Sequence, residues 1–90
     1  MEIEARVTGR VQMVMFRDFT QRKGKKLGLT GYVKNNNDGS VTAVAQGEKS
    51  SIEKFIKLLH KGPLFAKVAG VSVVERSPNE IFKTFEILYE

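Results

Sequence analysis

The chain carries no cysteine and a single histidine, His60. Disulfide staples and thiolate metal sites are therefore excluded, and one imidazole falls short of an ordinary zinc ligand set. Any catalysis is expected to be metal-free or to use a metal that arrives with its substrate, and no cofactor is expected. Long apolar runs are missing too: hydrophobic stretches last a few residues, against about 20 for a helix that crosses a bilayer. The opening Met1-Glu2-Ile3-Glu4 has neither the basic start nor the apolar centre of a secretory leader. These absences point to a soluble, cytoplasmic protein with no membrane partner. No repeat or low-complexity tract interrupts the chain.

What is present suits one globular unit. The 90 residues are 41% hydrophobic and 28% charged, the balance of a single domain spanning residues 1–90 and expected to be a monomer. A chain of this length buries one modest core. Fifteen Lys and Arg against ten Asp and Glu leave a formal charge of +5. That excess attracts anions, phosphorylated metabolites and nucleic acid alike.

Periodicity orders the elements. Ile3 to Val7 alternates apolar with Glu4 and Arg6, a half-buried strand that Gly9 ends. Phe16, Phe19, Thr20, Lys23 and Leu27 then fall at helical spacing, with Asp18 early and Lys23, Lys25 and Lys26 late, the charge order that favours a helix. Gly24 inside it costs about 1 kcal/mol against alanine, and Gly28 is the expected stop. Tyr32–Asn35 and Val41–Ala45 flank Asn36-Asn37-Asp38-Gly39 as a hairpin. Ser50 with Glu53 reads as a capping box opening a second helix, whose stripe is Ile52, Phe55, Ile56 and Leu59 and whose stop is Gly62-Pro63. Val68–Val74 is a valine-rich strand. After the turn at Ser77-Pro78-Asn79, Phe85, Ile87 and Tyr89 alternate with Glu86, Leu88 and Glu90 in a last strand. The order β-α-β-β-α-β plus a C-terminal strand is that of an α+β ferredoxin-like sandwich, two helices on one face of an antiparallel sheet.

Two segments carry the candidate chemistry. Gly9-Arg10-Val11-Gln12-Met13-Val14-Met15-Phe16-Arg17 joins a strand to a helix start, where unpaired amides and the helix dipole favour an anion. Arg17 there adds a planar fork of donors matched to phosphate oxygens. Asn35 ends a strand just before a turn, and its carboxamide both donates and accepts, as holding a water requires. Arg22, Lys23, Lys25 and Lys26 read as a solvated basic face. His60 reads as a last-turn residue without a catalytic role, Tyr32 as support for the Asn35 strand, and Met15 as loop packing.

These two segments resemble the signatures of the acylphosphatase family, approximately Gly-x-Val-Gln-Gly-Val-x-Phe-Arg and Gly-aromatic-Val-Lys-Asn-x-x-x-Gly-x-Val. The second is matched by Gly31-Tyr32-Val33-Lys34-Asn35 followed by Gly39 and Val41. The resemblance implies a metal-independent hydrolase acting on small acyl phosphates. It implies that Arg17 and the backbone of Gln12, Met13, Val14, Met15 and Phe16 bind the phosphoryl group, and that Asn35 positions the water. One position departs from the pattern: Met13 stands where the family has glycine. Since glycine tolerates positive φ, methionine there is expected to strain the loop if its φ is positive. Two alternatives stand beside this reading. One is a non-catalytic ferredoxin-like module binding RNA or an anion, which the lack of aromatics in Val41–Ala45 disfavours, so no nucleic acid partner is expected. The other is an acylphosphatase relic impaired by Met13.

Overall fold

The alternating segment at the start of the chain forms β1 (Glu2–Arg10) in the computed structural model, which describes residues 1–89. It is followed by α1 (Phe16–Lys26), β2 (Thr30–Asn35), β3 (Val41–Gln46), α2 (Lys49–Lys61), β4 (Lys67–Arg76) and β5 (Phe85–Leu88). Glu90, expected to close the last strand, lies outside the described residues. The strands form one sheet in the order β4-β1-β3-β2-β5.

The sheet is mixed rather than wholly antiparallel. β1 pairs antiparallel with β3 and β4, and β2 with β3, whereas β5 runs parallel to β2 with Gly31 opposite Phe85. The reason lies in where β4 ends. Arg76 closes β4 opposite Glu2, and Thr30 opens β2 opposite Gln46, which is itself opposite Glu2, so both lie at the same end of the sheet. The segment Ser77–Thr84 crosses that end and enters β5 beside the start of β2, which sets a parallel direction. Gln46 holds this crossing in place: its Nε2 donates to the Glu80 carbonyl at 2.6 Å and its Oε1 accepts from the Phe82 amide at 3.0 Å.

Both helices bury their apolar stripes on one face. Phe16 from α1, and Ile52, Phe55 and Leu59 from α2, pack on Ile3, Ala5, Val7, Val33, Ala43, Ala45 and Phe85 of the strands. Each fully buried large side chain contributes about 1.5–3 kcal/mol, which places the driving force for the fold in this layer. Glycine serves two purposes in α1 and at its end. Gly28, at φ 75°, takes the left-handed turn that lets its amide reach the Lys25 carbonyl at 3.0 Å and Leu29 the Gly24 carbonyl at 2.9 Å, the double closure of a Schellman end. Gly24 gives space: a Cβ there would stand 2.6 Å from the Phe85 ring. Gly24→Ala is therefore expected to lower stability by about 1–2 kcal/mol in urea unfolding, because overpacking outweighs the gain in helix propensity. A stabilised variant would contradict this close packing.

The second helix opens without its expected capping box. Its N-cap is Glu48 in extended conformation, with no side-chain cap bond, and Lys49 is already helical. Ser50 thus sits inside the first turn, where its hydroxyl has no cap amide to reach. On the face of the sheet away from the helices, Glu2 is buried and ion-paired to Arg76, which also donates to Glu4 at 2.6 Å. Burial raises the pKa of Glu2, but hydrogen bonds from Gln46 and Arg76 and the guanidinium charge outweigh it and hold the carboxyl below its usual range. No helix among the described residues is long and apolar enough to cross a membrane.

Candidate active site

The loop from β1 to α1 is pinned from inside by three apolar residues. Val11 and Phe16 are buried and Val14 packs against the core, while Met13 and Met15 between them are exposed. Met13 and Met15 both adopt the left-handed conformation, at φ 61° and 63°. Left-handed residues interleaved in a loop are the backbone pattern of anion-binding nests. Non-glycine residues held there cost about 1–3 kcal/mol each and persist where the surroundings over-determine them. The positive φ at Met13 is the conformation for which glycine is suited, so methionine bears that strain.

Met15 is also the N-cap of α1 and makes no side-chain cap bond, which leaves the first-turn amides for solvent or a ligand. Arg17 stands in that first turn, its guanidinium carbon 4.8 Å from the centroid of the Tyr89 ring. Such stacking restrains a long side chain without consuming its hydrogen-bond donors. Asp18, the carboxylate next to it, is engaged by Arg22 at 2.8 Å.

Asn35 ends β2 beside this loop. Its Oδ1 is buried and has no hydrogen-bond partner among the described residues. An orphaned acceptor of this kind costs about 1–3 kcal/mol. Asn35 and Arg17 line one cleft of about 130 Å³, together with Val11, Met13, Met15, Phe16, Asp18, Ile87 and Tyr89. Both side chains singled out from the sequence are thus brought together, at the open end of α1.

The loop and the hairpin are tied to each other by a side chain that the sequence reading overlooked. Gln12 Nε2 donates to the carbonyls of Asn36 and Ser40 at 2.8 and 2.9 Å, linking the β1–α1 loop to the turn that follows Asn35. The turn is itself braced. Asn36 Nδ2 donates to Ser40 Oγ and Thr42 Oγ1, and Asp38 accepts from the Ser40 hydroxyl and amide and pairs with Arg6. The Ser40 hydroxyl, then its amide, then Arg6 hold the Asp38 carboxyl far below its usual range. Gln12 had been assigned only through its backbone, because its carbonyl partners lie 24 and 28 residues away.

Tyr89 was also missed. It follows β5 rather than belonging to it, and its ring is exposed against Arg17. A signal was available: the alternation Phe85, Ile87, Tyr89 puts it on the same side as Ile87, which lines the cleft. Met15, read as loop packing, is instead exposed and lines the cleft. His60 is exposed in the last turn of α2 and does not line the cleft.

The acylphosphatase family profile matches residues 3–87, a span that contains Arg17 and Asn35 and stops short of Tyr89. The chain belongs to the acylphosphatase family. Among its relatives, the acylphosphatase of Thermotoga maritima is 45% identical over 87 residues, covering 97% of this chain and 96% of the relative. The crystal structure of an acylphosphatase from Bacillus subtilis superimposes with a TM-score of 0.94 at 38% identity, over 98% of each chain. A full-length HypF solved in a phosphate- and nucleotide-bound form gives a TM-score of 0.90 at 29% identity, with 98% of this chain covering 12% of that one. Acylphosphatase membership carries with it the α+β ferredoxin-like sandwich and the assignment as a hydrolase.

Proposed function

We propose that this acylphosphatase-family chain hydrolyses the carboxyl–phosphate bond of small acyl phosphates to a carboxylate and inorganic phosphate. Arg17 and the amides from Gln12 to Phe16 hold the phosphoryl group, and Asn35 holds the attacking water. The observation that supports this most directly is the buried, unpartnered Oδ1 of Asn35 in the cleft that Arg17 also lines. An acceptor left unsatisfied at a cost of about 1–3 kcal/mol is accounted for if a ligand or reacting water supplies its donor.

An acyl phosphate already has a good leaving group, so the site needs orientation and charge stabilisation more than a covalent nucleophile. The guanidinium fork and first-turn amides stabilise the charge spread over the equatorial oxygens. Asn35 Oδ1 accepts one water O–H and aims the oxygen at phosphorus. As the P–O bond to the acyl group breaks, its electron pair leaves with the carboxylate, and the proton of the water passes to a phosphoryl oxygen. Asp18, the carboxylate of the cleft, is engaged by Arg22, and the substrate itself takes the role of base.

The RNA-binding alternative is disfavoured by the open face of the sheet. On that face the central strands β1 and β3 carry Glu2, Glu4, Arg6, Thr42, Val44 and Gln46 instead of stacking aromatics, with Glu2 and Val44 buried, and Tyr32 of β2 is in edge contact with Phe82 at 5.7 Å. The proposal is tested by following acetyl phosphate in the presence of EDTA and by titrating inorganic phosphate into isotopically labelled protein. Turnover is expected to persist in EDTA, with the largest amide shifts at residues 12–17. Phosphate binding without turnover would overturn catalysis and leave an anion-binding domain.

A further inference from the structure

We propose that Met13 and Met15 form an apolar collar at the mouth of the cleft that selects acyl phosphates with apolar, above all aromatic, acyl groups. The inference rests on the acyl phosphate reading above and concerns the half of the substrate that the phosphoryl cradle does not touch.

Three observations carry it. Met13 is 99% exposed and Met15 71%, so neither thioether contributes packing that would hold the fold together. Both residues sit at positive φ, where glycine would serve the backbone at less cost, so any benefit of methionine must come from its side chain. Both line the same cleft as Arg17 and Asn35. The remaining apolar lining comes from the core residues Val11 and Phe16, from Ile87 packed against the core and from exposed Tyr89, so the exposed apolar side chains at the cleft are Met13, Met15 and Tyr89, which neither the core nor the phosphoryl chemistry requires.

An acyl phosphate is divided in the same way. With its phosphoryl end on the cradle, its acyl end emerges where the two exposed thioethers stand. Methionine is unbranched and polarisable, closes on irregular apolar surfaces and contacts aromatic rings favourably. A benzoyl group would be partly desolvated there, whereas an acetyl group offers too little surface to engage the collar.

The test compares kcat/KM for benzoyl phosphate and acetyl phosphate in the wild type and in the Met13→Gln/Met15→Gln double variant. Glutamine keeps the length and unbranched shape and removes the apolar character, and the ratio of the two substrates cancels any effect on the shared phosphoryl cradle. The benzoyl-to-acetyl ratio is expected to fall roughly threefold to tenfold. Phenylphosphonate and methylphosphonate, used as competitive inhibitors, give an independent reading, and the wild-type preference for the phenyl compound should shrink in parallel. A ratio unchanged within twofold would overturn the collar while leaving acyl phosphate hydrolysis in place. Failure of the wild type to hydrolyse either substrate would overturn both readings.

Discussion

Arg17→Ala is expected to lower kcat/KM for acetyl phosphate by about 10³-fold or more, with little change in thermal stability. An arginine that meets the charge developing on a transferring phosphoryl group is worth about 10³–10⁵ in rate. Arg17 has the position for that role, in the first turn of a helix whose N-cap leaves the amides open and in the cleft that Asn35 shares. What the fold loses is small: the side chain is partly exposed, and its contact with the Tyr89 ring accounts for about 0.5–1 kcal/mol. Arg17→Lys should fall between, since it restores the charge without the planar fork. Steady-state kinetics with a thermal melt checks both. An alanine variant within tenfold of wild type would remove Arg17 from the mechanism.

The second large effect is at Asn35, where activity and stability are expected to move in opposite directions. Asn35→Ala should cut kcat by about 10²–10³-fold, the loss seen when one preorganised polar group is removed from a reacting centre. The same change deletes the buried Oδ1 that has no partner among the described residues. Relief of that orphan, about 1–3 kcal/mol, offsets the packing lost with the carboxamide, so the variant should melt at or above the wild-type temperature. Asn35→Asp places a negative charge against an anionic substrate and should raise KM as well. A destabilised Asn35→Ala that keeps its activity would reverse the assignment and make the residue structural.

Much of the fold could be read along the chain because its signals are local. The alternation of Ile3 to Val7, the stripe of Ile52, Phe55 and Leu59 and the stop at Gly62 depend on neighbours within a few positions, and the elements appear where those patterns lie. Arg17 was legible in the same manner, from its place at a helix start. The errors fall where local cues compete. Ser50 and Glu53 satisfy the spacing of a capping box, but the chain turns helical at Lys49, which places Ser50 two residues past the N-cap Glu48.

The remainder depends on which strands become neighbours. The order of elements and the candidate residues Arg17 and Asn35 are written in periodicity, charge order and motif spacing, since these act over one or two turns of chain. Packing alone places β5 parallel to β2, because β4 finishes at the end of the sheet where β2 begins. It also joins Gln12 to the turn after Asn35, brings Tyr89 under Arg17 and leaves the Asn35 oxygen without a donor. Contacts between residues 24 to 72 positions apart leave no trace in local periodicity, because they form only when the sheet assembles and its two helices close over the core.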